Sequence, residues 1–190
     1  MYRLLLVLFL GLCFNQSLFI SEYSEGSSYN KYVEIYNPTS SAVDLSNFQI
    51  WKIGNGGDWE EGSGNSLDLE GSLSSGGVYV ICHSSIDENL ASMCNILNGS
   101  QAVNFNGDDA VGLAYNGSII DQVGDEGDDI GDGWEVAGTS NATKDHTLVR
   151  KSEIISGNTN WSSSAGSNPD NSEWEVYPQN TWDFLGWHID

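Results

Sequence analysis

Carboxylates are the chemically capable groups of this 190-residue chain, in which 27 acidic residues stand against six basic ones. Two groupings stand out. In residues 105–117, FNGDDAVGLAYNG, Asp108 and Asp109 are adjacent and lie between two Asn-Gly pairs, Asn106-Gly107 and Asn116-Gly117. Paired carboxylates can hydrolyse a glycosidic bond, one protonating the leaving group while the other activates water or attacks. With so many acidic residues, however, some adjacency arises by chance. No Gly-x-Ser-x-Gly elbow, Walker loop or His-Glu-x-x-His accompanies the pair. It is therefore read as structural, with the Asp108 carboxylate accepting backbone N–H bonds beside a turn. No catalytic residue is assigned. The second grouping is GDEGDDIGDGWE, residues 124–135, where Asp125, Glu126, Asp128, Asp129 and Asp132 are spaced by glycines. Such an oxygen-rich, pliable loop suits a hard cation, Ca²⁺ before Mg²⁺. An EF-hand register starting at Asp128 fails, with Ile130 in the third place and Thr139 where the bidentate Glu belongs. The alternatives are a non-EF Ca²⁺ loop and a solvated acidic surface.

Short strands must position these groups. Asn-Gly supplies the two positive-φ residues of a type I′ hairpin turn. Asn106-Gly107 is thus expected to join AVNF to DDAVGLAY, and Asn116-Gly117 to join that strand to SIIDQV, forming a three-stranded meander. Val111, Leu113 and Tyr115 fall on one face of its middle strand. Upstream, SLFISEYSEG and KYVEIYNPT alternate, with Tyr32, Glu34 and Tyr36 opposite Val33 and Ile35. AVDLSNFQIWKI, LDLEGSL and GGVYVICH read as further strands. SSIDENLASMC is the one helix candidate, capped by Ser84 or Ser85, with Ile86, Leu90 and Met93 on one face. Residues 138–172 are rich in Ser, Asn and Gly, with a strand-like island at HTLVRKS. The aromatic end, SEWEVYPQNTWDFLGWH, is expected to lie against the rest of the fold. Twenty-two glycines and abundant Asn and Ser point to an all-β class.

Residues 1–17, MYRLLLVLFLGLCFNQS, carry one early cation and an apolar run too short for a comfortable membrane span, and read as a secretory leader. Cleavage falls between about Cys13 and Leu18; Leu12 is too large for a lipoprotein box around Cys13. Removal of the leader leaves no transmembrane segment and a mature domain of residues 18–190. It also leaves Cys82 and Cys94, an even pair that in an exported chain reads as a disulfide, with two buried thiols as the alternative. Five basic residues then face 27 acidic ones, a net charge of −22. That sign excludes nucleic acid as a partner. Asn98, Asn116, Asn141 and Asn160 sit in Asn-x-Ser/Thr sequons, which matter only in a eukaryotic secretory pathway.

The blocks LFISEYSEGSSYNKYVEIYNPTSSAVDLSNFQI, LSSGGVYVICHSS, VNFNGDDAVGLAYNGSIIDQVG, TLVRKS and EWEVYPQNTWDFLGWH, in this order, resemble lamin-tail domains of the exported bacterial and protist type. The resemblance runs from Leu18 to His188. It implies an immunoglobulin-like β-sandwich, to which the residue pattern adds one short helix. It also implies a non-catalytic module; some exported relatives carry a separate nuclease or phosphatase domain, which this chain is not expected to contain. The chromatin contacts of nuclear lamins do not transfer to a chain of this charge. The expected role is a secreted or cell-surface module that is structural, adhesive or protein-binding, its partner a protein or surface glycan. Trp51, Trp59, Trp134 and Trp161, in or near loops, are candidate anchors. A Ca²⁺-dependent surface-binding protein is the alternative, and an accessory subunit of an extracellular hydrolase or nuclease a further one.

Overall fold

The computed structural model describes residues 18–59, 65–98 and 101–188. The leader and the end of the Asn98 sequon lie outside them. The elements in order are β1 (Phe19–Glu25), β2 (Lys31–Tyr36), β3 (Val43–Asp44), β4 (Phe48–Ile53), β5 (Ser66–Asp68), β6 (Ser72–Leu73), β7 (Val78–His83), helix α1 (Glu88–Ala91) and β8 (Ile96–Asn98). A 3-10 turn (Gln101–Val103), β9 (Ala110–Tyr115), β10 (Ser118–Val123), β11 (His146–Arg150), helix α2 (Trp161–Ala165) and β12 (Trp174–Pro178) follow.

Two sheets carry the fold: one of six strands in the order β12-β11-β1-β2-β7-β8, the other of four in the order β10-β9-β4-β5. Ile20, Tyr23, Val33, Ile35 and Ile81 of the first meet Phe48, Ile50, Val111 and Leu113 of the second in a continuous core. Burying these branched and aromatic side chains is the main driving force of the fold. The short β3–β6 ribbon closes one end with Leu73.

Several local expectations change in context. Asn116 and Gly117 take φ of 48° and 74° in the β9–β10 hairpin, as a primed turn requires. Asn106 and Gly107 do not adopt the left-handed conformation. The expected AVNF strand is absent: Ala102 and Val103 lie in the 3-10 turn, and with Phe105 they plug the core. The third strand of the predicted meander is instead β4, which pairs with β9. Gly107 has another purpose. A Cβ there would stand 2.2 Å from Lys144 Cβ and 2.6 Å from its Cα. Gly107→Ala should therefore cost about 1–3 kcal/mol through forced backbone displacement. Urea unfolding tests this, and an unchanged midpoint would contradict the tight approach.

AVDLSNFQIWKI divides into β3 and β4, because Leu45 turns into the core and the chain folds back between them, Phe48 N–H donating to the Leu45 carbonyl. The first helix is capped by Asp87, not by Ser84 or Ser85; its carboxylate accepts from Asn89 N–H. Ile86 and Leu90 are buried as expected, but Met93 is exposed. A second helix, α2, was not anticipated. Asn160 caps it, and Trp161, Ser164 and Ala165 are its buried side. HTLVRKS does form a strand, β11, paired between β1 and β12.

Candidate functional site

The adjacent aspartates part company. Asp109 is buried, and both oxygens are engaged: Oδ1 accepts from Asn55 N–H at 3.0 Å, and Oδ2 from Asn106 N–H at 2.9 Å and Lys52 Nζ at 3.4 Å. It ties the loop after β4 to the turn before β9. The backbone-accepting role expected of Asp108 thus belongs to Asp109, since the chain turn directs the second side chain inward. Asp108 lines a surface cleft of about 270 Å³ with Glu25, Asp132, Lys144 and Asp145. The cleft is acidic, but most of its charges have partners. Glu25 binds Lys31 Nζ at 2.7 Å and Asp145 N–H at 2.7 Å, and Asp132 binds Lys144 Nζ at 2.6 Å.

The candidate Ca²⁺ loop is likewise dispersed. Asp125 accepts from Gln122 Nε2 and Glu126 N–H, Asp129 from Gly131 N–H, and Asp132 from Lys144 and Asn141. Asp125, Glu126, Asp128 and Asp129 are exposed. The hydrogen bond from Lys144 holds the Asp132 carboxyl below its ordinary range. Reciprocal Gly57–Gly127 backbone bonds pin the loop to the segment after β4. Among the described residues, no three His, Cys, Asp or Glu side chains lie together so as to hold a metal ion. The described donor set is therefore not gathered into a preformed Ca²⁺ centre. Asp125, Asp129 and Asp132 are each drawn to a nearby N–H or ammonium and not to one another. Ca²⁺ and Mg²⁺ at matched ionic strength should raise the melting temperature equally; a Ca²⁺-specific increment lost on Asp128→Asn with Asp132→Asn would support the metal reading instead.

The strongest polar constellation lies inside the sandwich, and sequence reasoning missed it. Arg150 is fully buried and uses all five donors. Nη2 makes a bidentate pair with Asp121 at 2.8 and 2.7 Å; Nη1 reaches Glu173 at 2.5 Å and Ser164 at 3.2 Å; Nε reaches the Ile20 carbonyl at 3.2 Å. The guanidinium sits 3.9 Å from the Trp174 ring centroid. Asp121 also accepts from Ile20 N–H at 2.7 Å and Asn158 N–H at 2.9 Å. A bulge in the β1–β2 ladder between Ile20 and Glu22 accounts for this. Bulges interrupt ladder bonds, and here Asp121 and Arg150 serve the Ile20 backbone groups. Full burial raises the Asp121 carboxyl, while the guanidinium and the two backbone donors pull it back. With every atom committed, the cluster is a clasp between sheets.

The outer face of the six-stranded sheet is covered too. Cys82 and Cys94 are joined by a disulfide, with Cα atoms 5.9 Å apart, and it holds the α1 segment over β7. Beside it, Leu185 packs on Tyr32, Val80, Ile86 and Leu90, so that residues 179–188 lie across the sheet. Beneath them are two buried carboxylates, Glu22 and Glu34, directly opposed in the β1–β2 register. Tyr32 donates to Glu22 at 2.5 Å; Ser21 and Gly186 N–H each donate to Glu34 at 2.7 Å. Glu22 Oε2 has no hydrogen-bond partner. Burial, then the Glu34 charge, pushes Glu22 up to about 8, and burial pushes Glu34 up to about 7. The alternation of KYVEIY assigned the faces correctly, yet β2 is buried throughout because its outward side is covered.

The tryptophans sort accordingly. Trp51 and Trp161 are buried, Trp59 and Trp134 partly so, and none of the four stands out as an exposed anchor. Trp187 is 50% exposed and leans on Phe184, which packs on Tyr177. The Tyr177 hydroxyl donates to Glu175, which pushes the phenol up to about 12. Among the described residues, no helix is long and apolar enough to cross a membrane.

Two antiparallel-rich sheets around one core define the class: an immunoglobulin-like β-sandwich. The family model described as Lamin Tail Domain matches residues 15–127, more than half of the chain. The chain belongs to the lamin tail domain family. The matched part ends before β11, α2 and β12, which complete the larger sheet and the Arg150 clasp. A search of the curated proteins gives no match.

Proposed function

We propose that this lamin tail domain is a non-catalytic module that works outside the cell and holds a protein or surface-glycan partner. The carrying observation is the aromatic group on the outer segment: Trp187, half exposed, backed by Phe184 and Tyr177 on an otherwise acidic surface. Large rings with a polar edge contribute contact area at low entropic cost, which is why they serve as binding anchors. The Cys82–Cys94 disulfide supports an oxidising compartment. The charge of −22 after leader removal disfavours nucleic acid and favours a neutral or basic partner.

The test is immobilised mature domain presented with a glycan array and with purified surface-protein fractions, against Trp187→Ala. Reproducible capture that falls at least tenfold in the variant, and is unaffected by chelator, is the expected result. Capture lost on chelation would favour the Ca²⁺-dependent alternative. Absence of capture above an equally acidic control would overturn the binding role.

A further inference from the structure

We propose that Glu22 and Glu34 form a proton-dependent latch for residues 179–188: the segment docks over the pair while the pair retains a proton and is released when both carboxylates are charged. The geometry carries this. The two side chains oppose each other across the β1–β2 ladder, each 1% exposed, and like charges so placed repel. No lysine or arginine among the described residues is paired with either one. Lys31 is held by Glu25 and the Phe105 carbonyl, and Arg150 by Asp121, Glu173 and Ser164. The titratable groups that face the pair are Tyr32 and Tyr36 from β2 and His188 from the covering segment, whose ring packs on Phe19 and Tyr36. On the β7 side stand the apolar Val80 and the bonded Cys82; on the β11 side Val149 opposes Glu22, and beyond it on the same face lies the exposed Glu175 of β12, bonded to Tyr177.

The covering segment has a direct stake in the pair. Gly186 N–H donates to Glu34 Oε2, and Leu185 closes the apolar cluster beside it. Glu22 Oε2, buried and without a partner, is the atom least able to bear charge while the segment is in place. Release admits water to both carboxylates and relieves the repulsion, without requiring either sheet to open.

The direction of the pH effect follows from the raised values. A carboxyl that is harder to ionise when covered than its ordinary 4.5 stabilises the docked form fully below that value. This contribution is lost as pH rises through about 7 for Glu34 and about 8 for Glu22. Docking is therefore an acidic-to-neutral state, and release an alkaline one.

Hydrogen exchange on the full chain between pH 5 and pH 9, corrected for intrinsic exchange rates, tests the latch. Protection in residues 179–188 should fall about tenfold per pH unit for each proton lost on release, while β4 and β9 keep theirs. The double variant Glu22→Gln with Glu34→Gln should show a flat profile. If that variant does not fold, Glu22→Gln alone, which retains the Glu34 contact to Gly186, should still flatten the profile above pH 7. A pH-independent profile in the unmodified chain overturns the proposal. So do an unchanged slope in the Gln variants and a loss of protection in β4 and β9 in step with the segment.

Discussion

Replacing Arg150 by methionine should destabilise the folded chain by about 3–5 kcal/mol, a large share of the roughly 5–15 kcal/mol that holds a domain folded. The expected cost comes less from the lost attraction than from what remains. Asp121 would stay fully buried with its principal countercharge gone, and the Ile20 carbonyl would lose its Nε–H donor. Methionine fills part of the volume beside Trp174 but supplies no donor. Asp121→Asn should cost less, because the amide keeps an acceptor for Ile20 N–H and leaves Arg150 bound to Glu173. Urea unfolding monitored by circular dichroism distinguishes the two variants. If Arg150→Met unfolds at the same midpoint as the unmodified chain, the clasp does not hold the sheets together.

Reduction of the Cys82–Cys94 disulfide, or its replacement by two alanines, should cost about 3 kcal/mol. In a chain of this size that corresponds to a fall in melting temperature of roughly 6–12 °C. The bond closes a short loop, 12 residues apart in sequence, and its removal mainly frees the unfolded chain. Part of the α1 segment's attachment survives in the native state. Val80 N–H still donates to Asn95 Oδ1, Asn95 N–H still donates to the Val80 carbonyl, and β8 still pairs with β7. The loss should therefore appear as weakened protection around α1 and β8 together with a lower global midpoint. Thermal unfolding with and without a phosphine reductant, with the two-proton mass gain verified, measures it. Identical midpoints would mean that the bond contributes nothing to the fold.

Much of the sandwich was legible because strands and hairpins have local causes. Alternation in KYVEIY separated Tyr32, Glu34 and Tyr36 from Val33 and Ile35 as the sheet does. Asn116-Gly117 marked a primed hairpin because few residue pairs take two positive φ values cheaply. The same dipeptide at Asn106-Gly107 misled, since its glycine is needed for close approach to Lys144, a contact that no local pattern encodes. Asp87 outcompeted the two serines as helix cap because the chain is still turning at Ser84 and Ser85; Ile86 N–H donates to the His83 carbonyl. The residue types of the acidic loop can be read from the sequence, whereas the direction of each carboxylate cannot.

The amino-acid sequence by itself determined the all-β class, most strand positions, the available cysteine pair and the strongly acidic balance. These depend on side-chain type and on periods of two to a few residues. Tertiary structure alone decided which polar groups became buried. Arg150 meets Asp121 29 residues away through a bulge in a third strand, and Glu34 meets Gly186 across a separation of 152. Neither strand could declare that its polar side would be covered, because the covering segment belongs to the far end of the chain. Burial is a property of the packed whole, and burial turns an ordinary glutamate into a group that resists ionisation.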